Sequence, residues 1–121
     1  MSVLNIDEHK SVGDFQKGFS LMFPFLKIEF FKSMVGEGQV KSQKGNVLLP
    51  PNYILGKKEF TLNIDGSTTV AGLKAMLLEK TGVACQVYRK SGTIWIEVSL
   101  TEDWALERQN SEAELINNHS V

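Results

Sequence analysis

The chain has 121 residues, enough for one ordinary domain and too few for two. It is 42% hydrophobic and 22% charged, which excludes a disordered chain and permits a buried core. A formal net charge of -1 gives no general pull toward nucleic acid or an acidic membrane, and the single cysteine, Cys85, excludes an intramolecular disulfide and any zinc site built on two cysteines.

The opening MSVLNIDEHK is polar and carries Asp7 and Glu8 where a leader would be basic, so a soluble, cytoplasmic protein is the expectation. Within it VLNI alternates, with Leu4 and Ile6 aimed at a core and Asn5 away from it. Val12, Phe15, Phe19 and Met22 then form a stripe at helical spacing behind Ser11, a suitable N-cap. Gly13 and Gly18 each weaken that helix by up to ~1 kcal/mol relative to Ala, and Pro24 ends it. FLKIEFFK (25–32) reads as a strand. MVGEGQVKSQKGN (34–46) reads as a Gly- and Lys-rich loop without the spacing of a phosphate-binding P-loop, and NVLLP (46–50) as a return strand.

The second half repeats the plan. FTLNI (60–64) alternates with Phe60, Leu62 and Ile64 inward and Asn63 outward; Val70, Leu73, Met76 and Leu77 make a helical stripe behind Thr69; Gly82 ends it. ACQVYRKSGTIWIEVSL then reads as a hairpin about a Ser91-Gly92 turn, pairing Lys90 with Thr93, Tyr88 with Trp95 and Val87 with Ile96. One face of that hairpin holds Cys85, Val87, Ile94, Ile96 and Val98; the other holds Gln86, Tyr88, Trp95 and Glu97. After Asn110 the low apolar content of SEAELINNHSV predicts a disordered tail over 111–121.

The halves also match in letters. LNID occurs at 4–7 and 62–65, and at the same offset of 58 Ser11 meets Thr69, Val12 meets Val70, Phe15 meets Leu73 and Phe19 meets Leu77. LPPNYILGKKE (49–59) matches LTEDWALERQN (100–110) more loosely at an offset of 51, placing Tyr53 on Trp104 and Leu55 on Leu106. In the strand between, a one-residue shift sets Leu26 on Cys85 and Ile28 on Val87 and keeps the faces aligned. The expectation is an α+β domain over 1–110 made of two duplicated strand–helix–strand–strand halves, 1–58 and 59–110. Its sheet is mostly antiparallel with two helices on one face, ferredoxin-like in general architecture.

No catalytic, metal or cofactor constellation is readable, so a non-enzymatic reading with no cofactor is favoured. His9 beside Asp7 and Glu8 lies in a polar turn without converging partners. Cys85 sits on an apolar strand face and reads as inert core. Tyr53 and Trp104 read as plugs at one end of each half's core. Tyr88 and Trp95, with Phe31 nearby, share the face turned from the helices; such aromatics cover a protein partner or a second copy of the chain, or simply brace the sheet. Arg89, Lys90 and Lys32 lie close, but the near-neutral charge disfavours nucleic acid, and no membrane contact is expected.

Asp7 and Asp65 stand where strand passes to helix, with Gly13 and Gly66 following. An Asp and a Gly at such a turn is similar to the ligand turn of amino-acid-binding regulatory domains of the ACT type. The resemblance implies a small-molecule pocket at these turns; the plainer reading is an Asp that ends a strand by turn chemistry.

Overall fold

Alternating apolar residues give this chain two long strands that bury one face each, and the two lie against each other. In a computed structural model describing residues 4–6, 10–33, 46–55 and 60–119, β2 (Leu26–Ser33) and β5 (Ala84–Ser91) pair antiparallel from Leu26↔Arg89 through Ile28↔Val87 to Phe31↔Ala84. β3 (Asn46–Leu48) flanks the last three residues of β2, and β6 (Ile94–Glu97) flanks β5, giving a four-stranded antiparallel sheet of order β3-β2-β5-β6. β1 (Leu4–Ile6) and β4 (Phe60–Leu62) form a separate antiparallel pair.

α1 (Val12–Met22) and α2 (Val70–Thr81) lay their apolar stripes on one face of the central strands. Val12, Phe15 and Phe19 from α1 and Val70, Leu73 and Leu77 from α2 share one buried cluster with Leu26, Ile28, Phe30, Cys85 and Val87. Phe15 meets Phe30 edge-on, with ring centroids 5.5 Å apart and planes at 87°, a favoured aromatic geometry. Leu62 and Ile64 close the cluster as alternation requires, and Asn63 is exposed. Both expected caps form: Ser11 Oγ accepts from the Asp14 amide at 3.1 Å and Thr69 Oγ1 from the Gly72 amide at 3.0 Å. Gly82, at φ 72°, ends α2 in the left-handed conformation that favours glycine.

The two halves make matching hydrogen bonds. The Val12 amide donates to Tyr53 O and the Val70 amide to Trp104 O; Gly13 donates to Pro51 O and Ala71 to Glu102 O; Leu55 donates to Lys10 O and Leu106 to Thr68 O. In every case the counterparts stand at the offsets of 58 and 51 residues read in the sequence. The helix start therefore docks on the segment after the hairpin in both halves. At Gly13 a Cβ would stand 3.2 Å from Pro51, a close approach that explains the glycine; the second half carries Ala71 there. The two central pairings set counterparts against each other as well, Leu4 on Leu62 and Ile28 on Val87.

The structure departs from the sequence reading in three places. First, the fold is α+β, but three helices are present among the described residues, and the strands divide between two sheets. Residues 111–119, expected as disordered tail, belong to α3 (Leu106–His119). Its docking face is Leu106, Gln109, Asn110, Ala113 and Asn117, which recur at helical spacing but are mostly polar or small, so hydrophobic periodicity does not reveal them. Leu106 joins the core, and Ala113 and Gln109 are fully buried. Asn110 Oδ1 accepts from the Phe25 amide at 2.8 Å. Asn117 Oδ1 accepts from the Gly92 amide at 2.8 Å, while its Nδ2 donates to Lys90 O at 2.9 Å.

Second, the β5–β6 register is shifted by two residues. Ser91 pairs with Ile94, Lys90 with Trp95, Arg89 with Ile96 and Tyr88 with Glu97. The turn is centred on Gly92-Thr93, with Gly92 at φ 65°, because glycine takes the first central position where a two-residue hairpin turn needs positive φ. A shift of two preserves the faces. Third, Ile94 and Ile96 keep the expected face but are 59% and 40% exposed, because β6 is the sheet edge and α1 and α2 pack on the strands inside it.

Asn117→Ala should lower stability by about 1–2 kcal/mol in a denaturant melt, since it removes the side chain that bridges α3 to the hairpin backbone. A fragment of residues 59–121 should lack a cooperative melt, because the α2 stripe shares its cluster with α1 and β2; a sharp monomeric two-state transition would contradict this.

Candidate functional site

Alternation along the central strands assigns the sheet's second face. With Ile28 and Val87 in the core, Lys27, Glu29 and Phe31 of β2 and Gln86, Tyr88 and Lys90 of β5 must point the other way. Through the hairpin register, Trp95 and Glu97 of β6 join them. The structure thus brings Tyr88 and Trp95 to one face, as diagonal neighbours and not the directly opposed pair expected.

What joins the two rings is Lys27, a residue the sequence reading passed over. Its Nζ stands 5.5 Å from the Tyr88 ring centroid and 5.2 Å from that of Trp95, within cation–π range of both. The same ammonium lies 3.3 Å from Glu29 Oε2. Gln16 of α1 completes the chain: its Nε2 donates at 2.8 Å to Glu29 Oε1 and at 2.8 Å to the Ile28 carbonyl. β3 reaches only the end of β2, so the Ile28 and Leu26 carbonyls need partners from elsewhere; Gln16 supplies the first and Ser20 Oγ the second, at 3.3 Å. These contacts line a groove of about 570 Å³ between α1 and β2, with Leu21 on one wall and Trp95 at one end. The signal for Lys27 was present in FLKIEFFK, where it is an outward position one strand over from Tyr88.

Burial, with Glu97 and Glu29 adding to it, pushes the Tyr88 phenol above its ordinary range. Trp95 is 38% exposed. Phe31 lies on the same face by register but is buried, between Leu48 and Ala84, so it braces the far end of the sheet and does not extend the aromatic pair.

At the other candidate turn, Asp65 Oδ1 accepts from the Ser67 hydroxyl at 2.6 Å and the Ser67 amide at 2.8 Å, and those bonds hold its carboxyl below the ordinary value. This is local turn chemistry of the kind that ends a strand. A cleft of about 360 Å³ opens beside it, walled by Phe23, Gly66, Glu107 and Asn110. Asp7 and His9, with Glu8, lie outside the described residues, as do residues 34–45 of the basic loop. Among the described residues no group of three or more His, Cys, Asp or Glu side chains is placed to hold a metal ion, and no helix is long and apolar enough to cross a membrane.

Cys85 faces the core beside Val87, and burial raises its thiol to about 12. The pull of Lys74 on it is opposed by that lysine's own partner, Glu102, and burial denies the access that a nucleophile needs. Tyr53 packs against the core, and Trp104 carries Arg108 stacked 3.7 Å over its ring. No protein family, curated protein or solved structure matches the chain.

Cys85 should resist a thiol reagent in the folded protein and react on unfolding. Because its folded pKa lies above the unfolded value of 9.0, its contribution to stability is complete below pH 9 and is lost as pH rises from 9 toward 12. Melts across that range should show a steeper alkaline loss for the wild type than for Cys85→Ala; equal slopes would contradict the burial.

Proposed function

We propose that the chain is a non-enzymatic interaction module that receives a protein partner, or a second copy of itself, on the sheet face around Trp95. The observation that carries this reading is the cluster in which one ammonium, that of Lys27, serves two aromatic rings on the face turned from the core. Lys27 is held there by Glu29, and Glu29 by Gln16, so the aromatic surface is pre-ordered. Partly exposed Trp and Tyr held in place are the residue types that dominate binding energy when covered, because they bury large area at low entropic cost. The matching hydrogen bonds of the two halves support a further element of the reading, that the fold arose by duplication of a strand–helix–strand–strand unit.

A second reading, a regulatory module for a small molecule, draws on the cleft beside Asp65. Against it stands the use of Asp65 Oδ1 by Ser67 and the second carboxylate, Glu107, on the same wall. A thermal-shift screen with amino acids, nucleotides and metal ions separates the two: a specific shift by a small ligand would favour the Asp65 cleft.

Trp95→Ala tests the main reading. On an open face the variant should melt within ~1 kcal/mol of wild type while losing partner or self-association, read by denaturant melts and light scattering. A loss of ~3–5 kcal/mol would make Trp95 a structural residue and remove the interaction surface.

A further inference from the structure

β6 is both the carrier of Trp95 and the outer strand of the sheet. Its hairpin geometry decides which backbone groups face outward. In a two-residue hairpin the pair flanking the turn, Ser91↔Ile94, is hydrogen-bonded, and bonded and non-bonded pairs then alternate. The Val98 amide, which donates to Val87 O at 2.9 Å, confirms that even-numbered residues of this stretch bond inward. The N–H and C=O of Trp95 and Glu97 therefore point away from β5. Among the described residues, no hydrogen bond satisfies them.

Among the described residues, no covering segment lies along this edge, and shortness and Glu97 are its only protections. Exposed edges are commonly blunted by Lys, Pro, a bulge or a covering segment. β6 reads IWIE, with no Lys, no Pro and exposed side chains along its whole length. The other edge differs: β3 is three residues long, and the uncovered part of β2 is capped by Gln16 and Ser20.

We infer that the β6 edge is the site at which a second copy of this chain adds antiparallel, joining two four-stranded sheets into one continuous sheet; this rests on the interaction reading above and names its partner. The register follows from the outward groups. With the two-fold axis at Ile96, Trp95 faces Glu97 of the second copy, and each such pair exchanges both of its hydrogen bonds. Ile96 then meets Ile96 of the second copy, and Ile94 meets Val98. An axis at Glu97 would set like charges against each other. An axis at Trp95 would spend half of the outward groups on Thr93 in the turn. In the Ile96 register no like charges are opposed: Glu97, the one charged residue of β6, faces the second copy's Trp95, whose ring carries that copy's Lys27. An unrelated peptide strand could use the same backbone groups, but only a second copy repeats the outward pattern of this edge, so that both edges are satisfied at once about a two-fold axis.

The experiment uses the full chain. Wild type should sediment as a dimer that dissociates on dilution, and the Trp95 and Glu97 amides should exchange slowly with solvent at high concentration and quickly at low concentration. Ile96→Lys places two ammoniums on the axis, next to Arg89 of each copy, and should raise the dimer dissociation constant at least about tenfold. Mixing Ile96→Lys with Ile96→Glu should restore a dimer containing one of each, which also shows that the variants are folded. Three results would overturn the inference: a wild type that is monomeric up to about 1 mM, a dimer indifferent to Ile96→Lys, or fast exchange of both amides at every concentration. A monomeric wild type together with a stable Trp95→Ala would remove this pairing alone and leave another protein partner for the face. An early-unfolding Trp95→Ala would remove the interaction reading itself.

Discussion

The pairing of β2 with β5 is the constraint on which everything else rests. Among the described residues it is the longest strand pairing, and its register fixes two surfaces at once. Setting Ile28 on Val87 makes a floor of Leu26, Ile28, Phe30, Cys85 and Val87 for both helix stripes. The same choice sends Lys27, Glu29 and Tyr88 to the reverse side. A slip of one residue would exchange core and surface, placing an ammonium and a carboxylate under Phe15 and Phe19, so the register is strongly specified by the cost of burying unpaired charge.

The reverse face depends on that floor in a further way. Lys27 sits over two rings because β2 and β5 hold it at a fixed height and Glu29, two residues on, draws its ammonium down. The individual contacts are modest. A half-exposed ion pair contributes ~0–1 kcal/mol and each cation–π contact at such a site ~0.5–1 kcal/mol. Their effect is order: a flexible lysine, a carboxylate and an amide from α1 adopt one arrangement, so less entropy remains to be lost when the surface is covered.

Much of this was legible in the sequence, and the parts that were not have physical reasons. The stripes of α1 and α2, their caps and the inward pair Leu62 and Ile64 follow from period and N-cap chemistry alone. The offsets of 58 and 51 were readable because the residues that meet each helix start, Pro51, Tyr53 and Leu55 in one place and Glu102, Trp104 and Leu106 in the other, share one spacing. The hairpin register was missed by two positions because Ser91-Gly92 and Gly92-Thr93 are both plausible turns, and hydrophobic alternation is blind to a shift of two. α3 was missed because its contacts are made by Gln109, Asn110, Ala113 and Asn117, whose attraction lies in hydrogen bonds and close fit. Lys27 was overlooked because a lone basic residue on a strand becomes informative only once the strand beside it is known.

The polar docking of α3 gives the molecule two thermal behaviours. Burial of apolar surface carries a large heat-capacity change and weakens on cooling, so the stability of the helix-on-sheet core is a dome in temperature. Past Leu106, the contacts of α3 include amide hydrogen bonds, buried Ala113 and the half-covered Leu115 and Ile116, so less apolar surface is buried there than in the core, and exposing polar groups changes heat capacity little or in the opposite sense. Its attachment is therefore expected to depend less on cooling than the core does. Warming is thus expected to loosen the Asn117 end and the Gly92 turn ahead of the core, and chilling to weaken the core more than that latch.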